Sequence, residues 1–435
     1  MRKVHITSLG CAKNLVDSEV LAGQLKLRDY ELTHNPSDAE LIVINTCGFI
    51  EDAKEESIQA IFEATELKKS DRGKKIFVTG CLSQRYKDQL TAEIPAIDAI
   101  FGTEDYENIL YTLGENSYHP EDIYKIRELK TPNHFAYLKI SEGCNHSCAF
   151  CAIPGIRGKH RSRKIEDILS EARVLAEKGV KELILVSQDT SYYGKDIYNK
   201  TKIVDLISKI ADEDLFKWIR PLYWYPSNFP REYIQLMNTY DAVVPYLDMP
   251  VQHASNRVLA MMRRAEKKEN LLELYSYIRQ IRSDIALRTT FIVGHPGESE
   301  DDFEQLLEFV QTVRFDRVGA FLYSDEEGTP AYDLHPKVDK ETAQKRYERL
   351  MTVQAKISAE KNHRFIDSIQ KVLIDGYDND QKYYYGRTSR DAPEIDNDVI
   401  ISSSDYKEKF IGTFVNIRIS DVSEYELYGQ FVVCL

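Results

Sequence analysis

The chain has 435 residues, 43% hydrophobic and 29% charged, a globular composition long enough for about three domains at ~150 residues each. Its net charge of −13 argues against binding nucleic acid by charge alone, because non-specific binding rests on cations that displace counterions from phosphates. No run approaches the ~18 apolar residues of a membrane span, the N-terminus enters a strand rather than a signal peptide, and seven cysteines do not make a disulfide framework; a cytoplasmic, metal-ligating protein is expected.

In the first domain, residues 1–130, one design repeats. Val4 to Cys11, Leu41 to Cys47 and Lys75 to Cys81 are short, β-branched, apolar runs that end in a cysteine, and a helical pattern follows each. The clearest is Glu51 to Lys69, with Ile58, Ile61, Phe62 and Leu67 near one face. Alternating strands and helices predict a parallel α/β sheet whose strands end at one crevice. Cys11, Cys47 and Cys81 therefore converge there as three ligands of one cluster; the plainer alternative is three buried small side chains. From Leu113 to Pro132 the helical period fades, as in a linker.

The second domain, 131–365, opens with a strand from Phe135 to Ile140 that runs into Ser141-Glu142-Gly143-Cys144-Asn145-His146-Ser147-Cys148-Ala149-Phe150-Cys151. Thiolates at CxxxCxxC spacing can hold three irons of a 4Fe-4S cube and leave the fourth open to a chelating small molecule, which is the signature of a radical S-adenosylmethionine (SAM) enzyme. Structural zinc is the alternative, but it usually pairs CxxC with a second such motif, and none follows. A helix from Ile165 to Lys178 and strands at Glu182 to Val186, Ile219 to Tyr225, Tyr246 to Val251, Ala286 to Val293 and Arg317 to Tyr323 continue the alternation, predicting a (β/α) barrel with Cys144, Gln188, His253 and Gly294 on one rim. The turn Gly294-His295-Pro296-Gly297-Glu298 suits close approach of a ligand to backbone, and the basic run Arg157 to Lys164 suits an acidic group of substrate or cofactor. A charged helix from Lys340 to about Phe365 carries the chain away from the barrel.

The third domain, 366–435, changes to alternating strands at Lys371 to Ile374, Lys382 to Arg387, Asp398 to Ile401, Phe414 to Ile419 and Tyr428 to Val433, predicting a small antiparallel barrel of oligonucleotide-binding type. Tyr383 to Tyr385 could stack bases. From Phe365 onward, however, 13 Asp and Glu stand against 7 Lys and Arg, a net of −6 that favours a basic protein partner over phosphates. Cys434 has no partner pattern and reads as a plain buried or edge residue.

By these motifs, the whole chain resembles the radical SAM methylthiotransferases. Ser8-Leu9-Gly10-Cys11-Ala12-Lys13-Asn14 and Val251-Gln252-His253-Ala254-Ser255 are similar to the branch that modifies an aspartate of ribosomal protein S-twelve; the tRNA-modifying branch usually has Gln-Met-Asn after the first cysteine and Ser-Gly in place of His-Ala. Ala12 departs from the family's commoner proline. The resemblance implies an auxiliary 4Fe-4S cluster on Cys11, Cys47 and Cys81 and a radical cluster on Cys144, Cys148 and Cys151. It places Phe150 against the adenine of SAM, with Gln188, Arg288, Gly294 and Glu298 near the bound nucleoside, and makes the last domain a TRAM domain. No catalytic residue is assigned beyond the cluster ligands.

The activity so implied is C–H activation at the aspartate β-carbon by a SAM-derived radical, sulfur insertion from the auxiliary cluster, and methyl transfer from a second SAM. The implied partners are S-twelve or the small ribosomal subunit, a one-electron donor such as flavodoxin or ferredoxin, and a sulfur donor, with no membrane and no direct nucleic-acid substrate. Two other readings are a tRNA adenosine methylthiotransferase and a non-catalytic iron–sulfur scaffold or sensor.

Overall fold

The computed structural model describes residues 2–115, 123–403 and 406–432. Cys434, the end of the last predicted strand at Val433 and part of the predicted linker lie outside them. The first domain is a parallel sheet in the order β2-β1-β3-β4-β5, built from β1 (Arg2–Ser8), β2 (Tyr30–Leu32), β3 (Leu41–Thr46), β4 (Lys75–Gly80) and β5 (Ala99–Ile100). Three helices follow the predicted strands: α1 (Ala12–Lys26), α2 (Glu51–Ser70) and α3 (Cys81–Glu93). The short edge strands β2 and β5 carry no alternation long enough to read.

On α2 the buried face is Ser57, Ile61, Ala64 and Thr65, and the expected Ile58 and Phe62 are exposed. The helix lies close enough for Ser57 Oγ to accept from Cys47 N (3.0 Å) and donate to Cys47 O (2.9 Å). Small residues fill that seam because bulky ones would hold the helix off the sheet.

The second domain is two three-stranded parallel sheets, joined through the bridge Ile219↔Val243. Together they make an open six-stranded half-barrel. Its strands are Phe135–Lys139, Glu182–Val186, Trp218–Pro221, Tyr246–Asp248, Ala286–Val293 and Arg317–Leu322. The third and fourth are shorter than expected because Pro221 and Pro250 interrupt pairing and Tyr223 has φ +63°. Alternate residues divide two cores. Ala136, Leu138, Leu183 and Leu185 pack under the outer helices. Tyr137, Ile184, Val186 and Tyr246 share a core with Val16 and Val20 of α1, so the first domain fills the inside of the half-barrel.

The predicted linker is tied down where it is described: Arg127 is buried between Glu19 and Glu171. The helix Lys340–Asn362 does not leave the barrel. It packs along the sixth strand, and Ala343 approaches so closely that a Cβ at Gly294 (φ +77°) would lie 2.7 Å from it.

The last domain is a closed barrel of strands Ile369–Asp378, Tyr383–Arg387, Asp398–Ser402, Phe414–Val422 and Glu426–Phe431. The prediction of an antiparallel barrel holds for four pairings; Asp398–Ser402 and Glu426–Phe431 run parallel. An odd ring cannot alternate direction all the way round. Tyr384 is core, leaving Tyr385 exposed.

This barrel caps the amino ends of the half-barrel strands through ion pairs: Arg387 to Glu182 (2.7 Å), Arg317 to Asp391 (2.6 Å) and Arg390 to Asp316 (2.6 Å). Asp391 and Asp396 each face an arginine of the half-barrel. Part of the acidic excess therefore serves the domain interface rather than a partner.

Asp398 lines a cavity of about 320 Å³ at that interface with Asp396 and Glu426. Burial, with Asp375 and Asp391 nearby, lifts its carboxyl to about 6. The native state then holds a proton that the unfolded chain has lost, so this group's contribution to stability falls as pH rises from about 4 to 6. Asp398→Asn is expected to raise the apparent unfolding midpoint at pH 7, by about 1–2 kcal/mol after allowance for partial exposure, and to lose that advantage near pH 4. Equal midpoints of the two proteins across that range would refute it.

Candidate active site

Cys11 is the N-cap of α1 and Cys81 the first residue of α3, while Cys47 follows β3. All three stand at carboxyl ends of neighbouring strands. Gly10 (φ +85°) lies so close to Cys47 that a Cβ there would be 2.7 Å from its Sγ, which brings Cys11 beside Cys47. Asn14 holds the turn together, donating to Leu9 O (2.9 Å) and Thr46 O (3.0 Å), while its Oδ1 lies 3.6 Å from Cys81 Sγ. Thiols more than thirty residues apart in sequence thus meet at one crevice. Burial pushes the Cys47 thiol up and that of Cys81 to about 12. Cys11 is exposed; the protein atoms around its thiol act upward, but Lys13, Arg157 and backbone N–H groups outweigh them and draw it down.

The second triad sits on the loop after the first half-barrel strand. Cys144, Cys148 and Cys151 line one cleft of about 760 Å³ together with Gln84, Arg85 and Tyr86 of α3. The loop is pinned from several sides: Cys144 N donates to Gly158 O (3.1 Å), Ala149 N to Met262 O (2.9 Å), and Ala331 N to Ala149 O (2.8 Å). His146 stacks on Tyr225 at 3.7 Å and bonds Asp189 through Nε2 (2.7 Å). Arg264 lies over the same tyrosine, 4.0 Å from Cys148 Sγ. Burial raises the thiols of Cys144 and Cys151 to about 11 and about 12. Soft thiolates in threes, with an arginine near the sulfur, suit an iron–sulfur cube, and binding one would displace protons.

Between the triads runs a buried ion network. Lys139, in the first half-barrel strand, bonds Asp17 of α1, Glu104 (2.7 Å) and Glu142 (2.7 Å). These three carboxylates lie close enough together to hold a metal ion, but the lysine ammonium bridges them. Arg157 bonds Glu142 (2.9 Å), Asp17 (3.2 Å) and Asn14. Burial alone would raise the Glu142 carboxyl; Lys139 and Arg157 overcome it and hold it well below the usual range.

The arginines of the basic run thus pair within the chain, Arg163 with Glu171 and the exposed Arg161 with Glu104. Lys159 remains on the cleft.

The residues expected near a nucleoside separate. Gln188 stands at the rim, its Nε2 bonded to Glu142 (2.8 Å) and its buried Oε1 without a protein partner. Phe150 is half-buried between Cys148 and Cys151 in the loop. Arg288 lies three residues into its strand, bonded to Asp248 (2.8 Å) and Asp396 (3.3 Å) and lining the interface cavity. The Glu298 carboxylate is committed to Gly294 N (2.9 Å), His295 N (3.2 Å) and Arg346 (2.9 Å), and His253 is wholly buried beside it. Asn14, Tyr225 and Arg264 were given no role from sequence, and Arg157 only a place in the basic run; an arginine or asparagine shows no distinctive spacing.

Comparison with known proteins covers the chain from end to end. Residues 3–102 match the uncharacterized protein family UPF0004, 138–310 the radical SAM superfamily, which implies a 4Fe-4S cluster and SAM, and 367–432 the TRAM domain. Among solved structures, the radical SAM methyltransferase TsrM from Kitasatospora setae shares the fold at TM-score 0.55 and 12% identity, over 85% of this chain and 78% of that one. The proteins called ribosomal protein uS12 methylthiotransferase RimO from Clostridioides difficile and Aquifex aeolicus are 47% and 46% identical. They cover 99% and 98% of this chain and 99% and 97% of their own lengths. At that identity over that length, the chain belongs to the RimO family of radical SAM methylthiotransferases.

Proposed function

We propose that this protein adds a methylthio group to the β-carbon of an aspartate in ribosomal protein uS12, with Cys144, Cys148 and Cys151 holding the radical cluster and Cys11, Cys47 and Cys81 the auxiliary one. The observation that carries the reading is the presence of two thiol triads, one at the carboxyl ends of the first domain's strands and one on the loop after the first half-barrel strand, with a packed ion network between them. When bound, the clusters and SAM supply one-electron cleavage, a carbon-centred radical, sulfur and methyl.

The chain's own residues hold and orient. Asn14 and Gly10 set the spacing of the first triad, His146, Tyr225 and Arg264 brace the second, and the Lys139–Arg157 network keeps α1 at a fixed distance from the cysteine loop. Phe150 and Gln188 are the SAM contacts this geometry favours, Gln188 through its free Oε1. Arg288, Gly294 and Glu298 contribute through the packing of their turn and strand. Packing of α1 into the half-barrel excludes water from the space between the triads. Among the described residues no helix is long and apolar enough to cross a membrane.

The test is anaerobic. The reconstituted protein, with dithionite and SAM, is offered small ribosomal subunits and bulk tRNA in parallel, and both are read by mass spectrometry. A methylthio group on uS12 and none on tRNA is expected; modification of tRNA would instead favour the adenosine-modifying reading.

A further inference from the structure

The proposed reaction needs a group that recognises the target side chain, and none of the six cysteines does so. Lys13, in the first turn of α1, is only 8% exposed, yet no carboxylate pairs with it among the described residues. Its ammonium lies instead 3.4 Å from the centroid of the Tyr223 ring. Its buried neighbours differ: Lys139, Arg157 and Arg127 each face two or three carboxylates. A ring face is a weaker partner for a cation than a carboxylate is, so the ammonium is left able to take up an anion.

The ring beneath the ammonium is fixed in place. Tyr223 stands just past the third half-barrel strand in the left-handed region, φ +63°, with its N–H held by Asp248 (3.0 Å) and its carbonyl by Thr190 N (3.1 Å). A non-glycine residue kept in that conformation by two partners is a fixed platform. Asp248 itself is occupied by Arg288, so it does not compete for the ammonium. Lys13 stands two residues past Cys11, its ammonium over a tyrosine of the half-barrel. It thus marks a positive point between the first triad and the rim of the half-barrel.

Resting on the function proposed above, we infer that Lys13 determines substrate specificity: its ammonium, held over the Tyr223 ring, receives the carboxylate of the target aspartate. The carboxyl carbon is one bond from the β-carbon that gains sulfur. Anchoring the first therefore positions the second, and an asparagine at the same place would leave the ammonium unpaired.

The test measures a ratio. Fluorescently labelled peptides spanning the target loop of uS12, carrying Asp or Asn at the target position, are titrated anaerobically with reconstituted enzyme, and their dissociation constants are compared. The wild type should favour the Asp peptide by about thirtyfold, as for loss of one partner of a buried charge pair. Lys13→Met should bring the ratio close to one, and Lys13→Arg should keep a preference within a few fold of wild type. Damage to folding or cluster content would weaken both peptides together and leave their ratio unchanged. A ratio that survives Lys13→Met, or no preference in the wild type, overturns the inference. Mass spectrometry of the same wild-type enzyme with small subunits separates the two failures. If uS12 is modified while the ratio behaves wrongly, only the role of Lys13 falls; if uS12 is not modified, the functional reading falls and this inference with it.

Discussion

Alanine at Cys144, Cys148 or Cys151 is expected to abolish both 5′-deoxyadenosine formation and methylthio transfer. Alanine at Cys11, Cys47 or Cys81 should end methylthio transfer and leave 5′-deoxyadenosine formation standing. The asymmetry follows from where the triads sit. The second is built wholly on one loop and pinned by Met262, Gly158 and Ala331 of the half-barrel domain, so loss of a thiol in the first domain leaves its geometry intact. Removing a group that only supports a metal ligand costs 10–100-fold, so removing a ligand should cost at least about a thousandfold. Each substitution should also lower iron content by about half, since each triad holds one of two cubes. The measurement is iron per chain together with both products, by chromatography and mass spectrometry. If alanine at Cys11 silenced 5′-deoxyadenosine formation with the second cluster spectroscopically intact, the division of labour would be wrong.

Lys139→Met should destabilise the fold by about 3–5 kcal/mol, the usual cost of removing one partner from a buried ion network. Lys139 faces Asp17, Glu104 and Glu142; without its ammonium, those carboxylates keep, among the described residues, Arg157 and the exposed Arg161 as cations. Methionine fills the volume but leaves buried like charges in repulsion. Adding Glu142→Gln to Lys139→Met should recover part of the loss, because one uncompensated charge goes with it. Urea midpoints of the three proteins decide the matter. A double variant less stable than Lys139→Met alone would mean that Glu142 is held by Arg157 and Gln188 more than by the lysine. Because the network spaces α1 from the cysteine loop, Lys139→Met should also slow methylthio transfer more than 5′-deoxyadenosine formation.

The cysteine positions were legible because each ends a β-branched run, and parallel topology sends such ends to one side of a sheet. CxxxCxxC was legible for a different reason: its spacing is local and needs no fold to bring the thiols together. The Ile165 helix was legible from its period: of the face Ile165, Ile168, Leu169, Ala172, Leu175 and Ala176, all are buried except Leu169 and Ala176, which are partly buried. Where the same logic failed, a neighbour had intervened. Ile58 and Phe62 face outward because α2 presses its small residues onto the sheet. The basic run after the cluster loop reads as a surface for acidic ligands, but Arg157, Arg161 and Arg163 find their carboxylates within the protein. The acidity of the last domain is partly internal for the same reason, Asp391 and Asp396 being matched by arginines of the half-barrel.

Sequence alone therefore determined the order of the longer strands and helices, the three-part organisation, the cysteine positions of the two triads and the family to which they point. These depend on periodicity and spacing, quantities carried by neighbours along the chain. Tertiary structure decided what the charged residues do. Whether Lys139 is a solvated side chain or the hub of three carboxylates, and whether Lys13 is paired or left over a tyrosine ring, depends on contacts that bring α1 against the half-barrel, as between Lys139 and Asp17 and between Lys13 and Tyr223. Burial sets the energy of a charge, and burial in this chain is settled only when α1 enters the half-barrel.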